Sequence, residues 1–424
     1  MKKSFYLLLV VVLFVLPVST ALGGDDGKVI HVVTMDQAGM TTEEMDEIIA
    51  RFEEANPGVT IDMTYVSYDA LHDLLVTSIS SDPPAFDVVL IDEIWFPEFA
   101  EAGWLMDISD RITDEMREGI FPSLWAIVTV NDKVYGMPWL LDMKFFYYNT
   151  RMLEEAGFDA PPATWEELAE QARVMKEKGI VEYPFVQSWA QAEAAICDWV
   201  AFLYGNGGEF LDENGEPAFN GPEGVGALQW MVDMVNEGLV NPASLTYLEE
   251  DVRSVFSQGK AAFATYWLYM YDLTQDPNES QVVGEVGIGI IPVFESVYPE
   301  RKSASSSGSM AFGIASGSEN ADEAWAFLEY LTSEPIQIEY SAHQLPIWMS
   351  AYESEELIAL NPVTVPVFAE QMQWVFTRPR VPYYNEASRA LQVALQEALS
   401  GKATPQEALD EAADTIREIA AEYE

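Results

Sequence analysis

Residues 135 to 150, YGMPWLLDMKFFYYNT, hold one carboxylate, Asp142, and one cation, Lys144, among apolar and aromatic side chains. An ionised carboxylate accepts two hydroxyl hydrogen bonds at once and makes stronger ones than a neutral amide, and aromatic faces carry partial negative charge against which C–H groups pack. Without a partner among such neighbours, the carboxylate would cost about 1 to 3 kcal/mol. Asp142 therefore pairs with Lys144, caps a turn, or meets a ligand. Metal chemistry has little footing. The three histidines, His31, His72 and His343, are scattered, Cys197 is the single cysteine, and DENGE at 212 to 216 reads as a hairpin turn around Asn214-Gly215, lacking the later ligands of a calcium loop.

The elements that must position these residues follow from periodicity. VIHVVTM is an apolar, β-branched run, and Thr41-x-x-Glu44 opens a helix with Met45, Ile48, Ile49 and Phe52 on one face. VTIDMTYV alternates like a strand, YDALHDLLVTSIS is helical, and DVVLI is a buried strand. This β-α-β-α-β order predicts a parallel, doubly wound sheet with its ligand crevice beyond the carboxyl ends of the strands. Asp36 and Gln37 after the first strand, and Asp92, Glu93 and Trp95 after the third, are then the candidates. Trp95 could equally be buried by IWFPEF, and Asp92 could cap a helix. Thr164-x-x-Glu167 and Asn320-x-x-Glu323 open further helices, KAAFATYW and GEVGIGIIPV read as strands, and the tail from Pro405 is an amphipathic helix. The glycines of GEVGIGIIPV lack the following helix that a phosphate loop needs.

At 424 residues, 49% of them hydrophobic, the chain can fill two globular cores. Lys2 and Lys3, the apolar run Phe5 to Leu16 and the small residues VSTALGG read as a signal peptide, residues 1–23, cut after Ala21 or Gly23. The run is too short to span a bilayer, and with no cysteine near the cleavage point the mature chain is expected free in the periplasm, not lipid-anchored. Asp and Glu number 70 against 21 Lys and Arg, a net charge of −49 that repels nucleic acid. The acids are spread over helical segments, which points to a solvated surface.

Several longer segments occur together in one order: FDVVLIDEIWFPEFAEAGWLMDIS, VYGMPWLLDMKFFYYNTRMLEEAGFDAPPATWEELAEQA, FSQGKAAFATYW, GSMAFGIASGSENADEAWAFLEYLTS and RPRVPYYNEASRALQ. In these the chain resembles the periplasmic sugar-binding proteins of ABC importers, the extracellular solute-binding family that includes maltose- and trehalose/maltose-binding proteins. The resemblance spans essentially the whole mature chain. It implies a periplasmic binding protein type II fold, two doubly wound α/β lobes joined by a three-crossing hinge, with a sugar in the cleft. The lobes would be 24–138 with 311–345 and 139–310 with 346–424, crossing near Met137 to Lys144, Ala304 to Met310 and Ala342 to Trp348.

By the same resemblance Asp142 accepts sugar hydroxyls as the chain first crosses, Asp92 matches an acidic sugar-binding position, and Glu93 lies beside it. Trp267 with Tyr266 matches a stacking aromatic, and Trp139 is an alternative platform. Ser307, Gly308 and Ser309 fall on the second crossing, where small residues let backbone approach a ligand, and Trp348 lies near the third. Arg378 matches a sugar-binding arginine, with Arg380 close by. Where some relatives have a tyrosine two residues before the cleft acid, this chain has Leu140. The implied partners are a sugar, a di- or oligosaccharide, and the permease of an ABC importer, for a monomer without cofactor, metal or catalysis. Two other classes fit the same residues: a secreted glycoside hydrolase using paired carboxylates, and a receptor for a cationic solute such as a polyamine.

Overall fold

The computed structural model describes residues 27–36 and 39–423, so the expected signal peptide and Gln37 lie outside the described residues. Two sheets organise them. The first has five strands in the order Val59–Val66, Lys28–Met35, Val88–Asp92, Met310–Ile314 and Met137–Leu140. The first three run parallel, as their alternation with helices predicts. Met310–Ile314 then enters antiparallel to Val88–Asp92, with Ala311 opposite Ile91, so the sheet is mixed, not wholly parallel. That strand arrives from the other sheet instead of through a strand–helix–strand crossover, so nothing forces it parallel. The second sheet is also mixed: Val286–Gly289, Lys144–Asn149, Phe263–Trp267 and Phe185–Val186.

Local chemistry fixes the helices around them. Thr41 and Glu44 satisfy each other's backbone donors in a complete capping box, and Met45, Ile48, Ile49 and Phe52 of Thr42–Ala55 are buried. Thr404 and Glu407 open the terminal helix Pro405–Glu422 in the same way. At Trp165–Glu177 the box is only half formed, because Glu167 accepts from Ala163 N–H. Asn320 makes no side-chain cap on Ala321–Leu331. The turn at Asn214-Gly215 is organised by Asp212, which accepts from the N–H groups of Asn214 and Glu216. One core surrounds the first sheet and one face of the second; the other gathers the helices Trp165–Glu177, Glu193–Gly205, Pro222–Asn236, Tyr384–Leu399 and Pro405–Glu422.

The chain leaves the first sheet at Leu140 and enters the second at Lys144. It returns through Ser305–Ser306 to Met310, and the two passages lie side by side, Met143 bridging Ser307 and Gly308 N–H donating to the Asp142 carbonyl at 3.0 Å. Val375–Phe376 runs beside them, parallel to Ser305–Ser306. Trp348, expected as a ring near the third crossing, stands away from these passages. Trp348 packs in the core of the first sheet, bridged to Ile120 and donating from Nε1 to the Thr332 carbonyl at 2.8 Å. Its apolar ring fits a core as well as a cleft, and sequence pattern does not separate the two.

The charge imbalance has a measurable consequence. Repulsion among 70 acids opposed by 21 bases works against the compact state and is screened by salt. The melting temperature should rise by several degrees between about 0.05 M and about 1 M NaCl, over which the screening length falls from beyond 10 Å to about 3 Å. A melting temperature that is flat or falls over that range contradicts this account.

Candidate functional site

The carboxyl end of the buried strand Val88–Asp92 delivers Asp92 to the space between the sheets. Its carboxylate accepts from Arg378 at 2.9 Å, from the Tyr68 hydroxyl at 2.7 Å and from Ile94 N–H at 3.3 Å. Arg378, only 2% exposed, also donates to Glu193 at 2.9 Å. Glu193 is the first residue of the helix Glu193–Gly205 and accepts from the hydroxyls of Tyr384 and Ser388. One guanidinium thus joins the end of the first sheet to a helix of the second lobe, in the bidentate-capable geometry that suits arginine. Arg380 points elsewhere. It donates to the carbonyls of Ala126, Ile127 and Thr129, at and just beyond the carboxyl end of the helix Pro122–Val128.

Asp142 sits in the first passage, 8% exposed, accepting Met143 N–H at 2.8 Å. Burial pushes its carboxyl up to about 7, opposed in part by the backbone N–H groups of Met143 and Leu268. It is not paired with Lys144. That ammonium, fully buried, donates to Asp198 at 2.6 Å and lies 3.4 Å from Glu249. Glu249 in turn accepts the indole N–H of Trp267 at 2.5 Å.

These groups line one chamber of about 260 Å³, walled by Asp92, Asp142, Glu193, Glu249, Trp267, Gly308 and Arg378 with apolar Met35, Leu140 and Met310. It adjoins an outer chamber of about 540 Å³ that shares Tyr68, Asp69, Ala192, Glu193 and Leu248 and adds His72, Gln191, Asn385 and Gln392. Four side-chain donors in the inner wall are engaged by carboxylates: Tyr68 and Arg378 by Asp92, Trp267 by Glu249, and Tyr269 by Glu250 at 2.9 Å. Asp142, by contrast, is held only by main-chain donors. The wall is therefore richer in open acceptors than in open donors, an arrangement that receives hydroxyls or other donors.

Of the residues singled out in the sequence, Asp92, Asp142, Trp267, Gly308 and Arg378 come together in this wall. Others do not. Trp139 is 1% exposed and packs on Phe312 with ring centroids 5.0 Å apart, in the core of the first sheet. Tyr266 is buried behind the wall, its hydroxyl against Glu250, and its neighbour Tyr269 takes the lining position. Glu93 is fully buried, accepts from Ser307 Oγ at 2.6 Å, and is pushed up to about 7 by that burial. Ser307 and Ser309 are buried within the second passage, hydrogen-bonded to each other. Trp95 stacks on Tyr68 and borders the outer chamber, with its N–H on Asn385 at 3.2 Å. Asp36 is exposed and stands outside the wall, and Trp348 lies in the core already described. Trp139, Tyr266, Glu93, Ser307 and Ser309 are each one residue from a lining residue, so a one-residue change of facing separates wall from core there, and that facing depends on register.

Tyr68, Glu193, Glu249 and Tyr269 line the chamber without having been singled out. Glu249 and Glu193 begin helices, where acids are ordinarily read as favourable to the helix dipole. Tyr269 was within reach of inference, three residues after Tyr266 beyond the same strand. Among the described residues no group of three or more metal-ligating side chains converges, and no helix is long and apolar enough to cross a membrane.

Comparison with known proteins places this geometry. A family model described as bacterial extracellular solute-binding protein matches residues 38–338. A "Probable ABC transporter-binding protein" of Deinococcus radiodurans is 30% identical over 340 residues, 76% of this chain and 77% of that protein. The mannitol-binding protein of Pseudomonas aeruginosa is 24% identical over 68% of this chain and 66% of its own length. The maltose-bound MalE3 of T. maritima superposes with a TM-score of 0.84 at 29% identity, covering 92% of this chain and 99% of that one. The fold is the type II periplasmic binding protein fold.

Two buried acids give the site a pH signature. Asp142 and Glu93 titrate near 7 when folded and close to about 4 when unfolded. Between those values the folded chain holds protons that the unfolded chain has lost, so stability is greatest below the window and declines as pH rises through 7. The ligand-free protein should melt several degrees higher at about pH 5.5 than at about pH 8, and the double variant Asp142→Asn, Glu93→Gln should lose much of that difference. The same pH slope in variant and parent contradicts the assignment.

Proposed function

We propose that this chain, which belongs to the bacterial extracellular solute-binding protein family, captures a sugar between its lobes and delivers it to the membrane permease of an ABC importer. The chain is exported by its signal peptide to the periplasm and works without catalysis. A di- or oligosaccharide is the ligand. The observation that carries this reading is the inner chamber, where Asp142, a buried acceptor with no cationic partner, stands with Trp267 in a wall drawn from both lobes.

The roles follow from the chemistry. Asp142 accepts hydroxyl hydrogen bonds, Trp267 packs against a C–H face of a sugar ring, and the Asp92–Arg378–Glu193 array orients further hydroxyls at the opposite wall. The inner chamber takes one end of the ligand, and the outer chamber, with its Gln191, Asn385 and Gln392 amides, takes the remainder. The lobes meet at the passages 141–143 and 303–309, and closure about the segments that join them exchanges the open form for the closed one. A sugar that touches both walls binds the closed form better and shifts the population toward it.

A cationic solute is the second reading, favoured by the acidity of the wall, where Asp69, Glu250 and Asp251 add to the carboxylates already described. Much of that acidity is internally answered: Asp92 and Glu193 by Arg378, Glu249 by Lys144 and Trp267, and Glu250 by Arg253. A thermal-shift screen over a carbohydrate panel with spermidine and putrescine as competitors decides the ligand class, since only a bound solute raises the melting temperature. We expect shifts from sugars and none from amines; the reverse pattern overturns the sugar reading.

Asp142→Asn keeps side-chain size and removes charge from the acceptor, so sugar affinity should fall by about tenfold or more while the circular dichroism spectrum stays unchanged. Calorimetry that returns the parent affinity removes Asp142 from the site.

A further inference from the structure

The indole of Trp267 is held on three sides. Lys144 and Trp267 stand directly opposite each other on adjacent strands, and this register carries Lys144 Nζ over the ring, 5.0 Å from its centroid. Asp198 and Glu249 fix the ammonium there. Glu249 also anchors the ring through its N–H. At the benzo edge Gly308 lies so close that a Cβ on it would fall 2.4 Å from Cζ3 and 2.7 Å from Cη2. With one face under the ammonium and two edges held, the ring keeps one orientation and offers the chamber its remaining face.

We propose that this clamp makes Trp267 a rigid plane that selects closed-ring sugars over the corresponding open-chain alditols, with Lys144, Glu249 and Gly308 as positioning residues. The inference rests on the sugar reading above and narrows it. A pyranose presents a flat row of C–H groups and loses little internal freedom on meeting a fixed π face. An alditol must freeze the torsions of its whole chain to lie flat. A mobile ring would follow such a chain; a clamped ring does not.

The test is titration calorimetry of the protein with three matched pairs: glucose and glucitol, xylose and xylitol, maltose and maltitol. Among the pairs that bind, the cyclic member should bind about tenfold or more tightly than its reduced partner, the maltose pair reading the reducing-end ring alone because maltitol keeps its other ring closed. Failure of every compound overturns the sugar reading itself, whereas equal affinity within the binding pairs leaves that reading standing and overturns the selection. Two variants then locate its origin. Glu249→Ala frees the N–H edge and Gly308→Ala displaces the benzo edge, and each should lower the cyclic-to-alditol ratio several-fold, with Glu249→Gln, which keeps an acceptor for the N–H, retaining most of it. The near-ultraviolet circular dichroism of ligand-free Glu249→Ala should lose intensity that Glu249→Gln keeps. Variants that lose both members of a pair in equal proportion, or a Glu249→Gln that behaves as Glu249→Ala, contradict the clamp; a Glu249→Ala that fails to fold leaves the decision to Gly308→Ala and Glu249→Gln.

Discussion

A single buried cation ties the two halves of the molecule to one site. Arg378 holds Asp92 at the end of the first sheet and Glu193 at the start of a helix in the second lobe, and it does so while almost wholly withdrawn from water. A charge in that setting persists only where opposite charges and hydrogen bonds replace its hydration, so both carboxylates are required where they stand. Their own second partners, Tyr68 on one side and Tyr384 with Ser388 on the other, extend the array into each lobe. The shape of the chamber follows, because the residues that define its opposite walls are fixed relative to one guanidinium.

The second buried cation works differently. Lys144 lies behind the wall, and its partners Asp198 and Glu249 lead to Thr265, Ser188 and Trp267. It leaves Asp142 unpaired only two residues away along the chain, since alternate strand positions share a face but the turn between the sheets separates them. This separation keeps an acceptor open in an otherwise satisfied wall. A rearrangement that gave Asp142 a cation would make a quieter interior and remove the feature that points to a ligand.

The strands and most helices were legible in the sequence because period and capping are local properties. Thr41 with Glu44, and the buried run ending at Asp92, lie where their patterns place them. Asp92, Asp142, Trp267 and Arg378 were legible as wall candidates from resemblance joined to chemistry. Trp139, Trp348 and Tyr266 were not separable from them, because a large ring satisfies a core and a cleft equally and only register decides between the two. Arg378 and Arg380 pose the same problem in miniature: two residues apart, one spans the chamber and the other closes a helix end.

The central claim is that a sugar is captured by closure of two lobes about the segments that join them, and small-angle scattering of the protein with and without a saturating sugar tests it most directly. The account predicts a smaller radius of gyration in the bound state, with each lobe's packing retained. Tight sugar binding with superimposable scattering curves would contradict it, because the ligand would then occupy the chamber without drawing the lobes together.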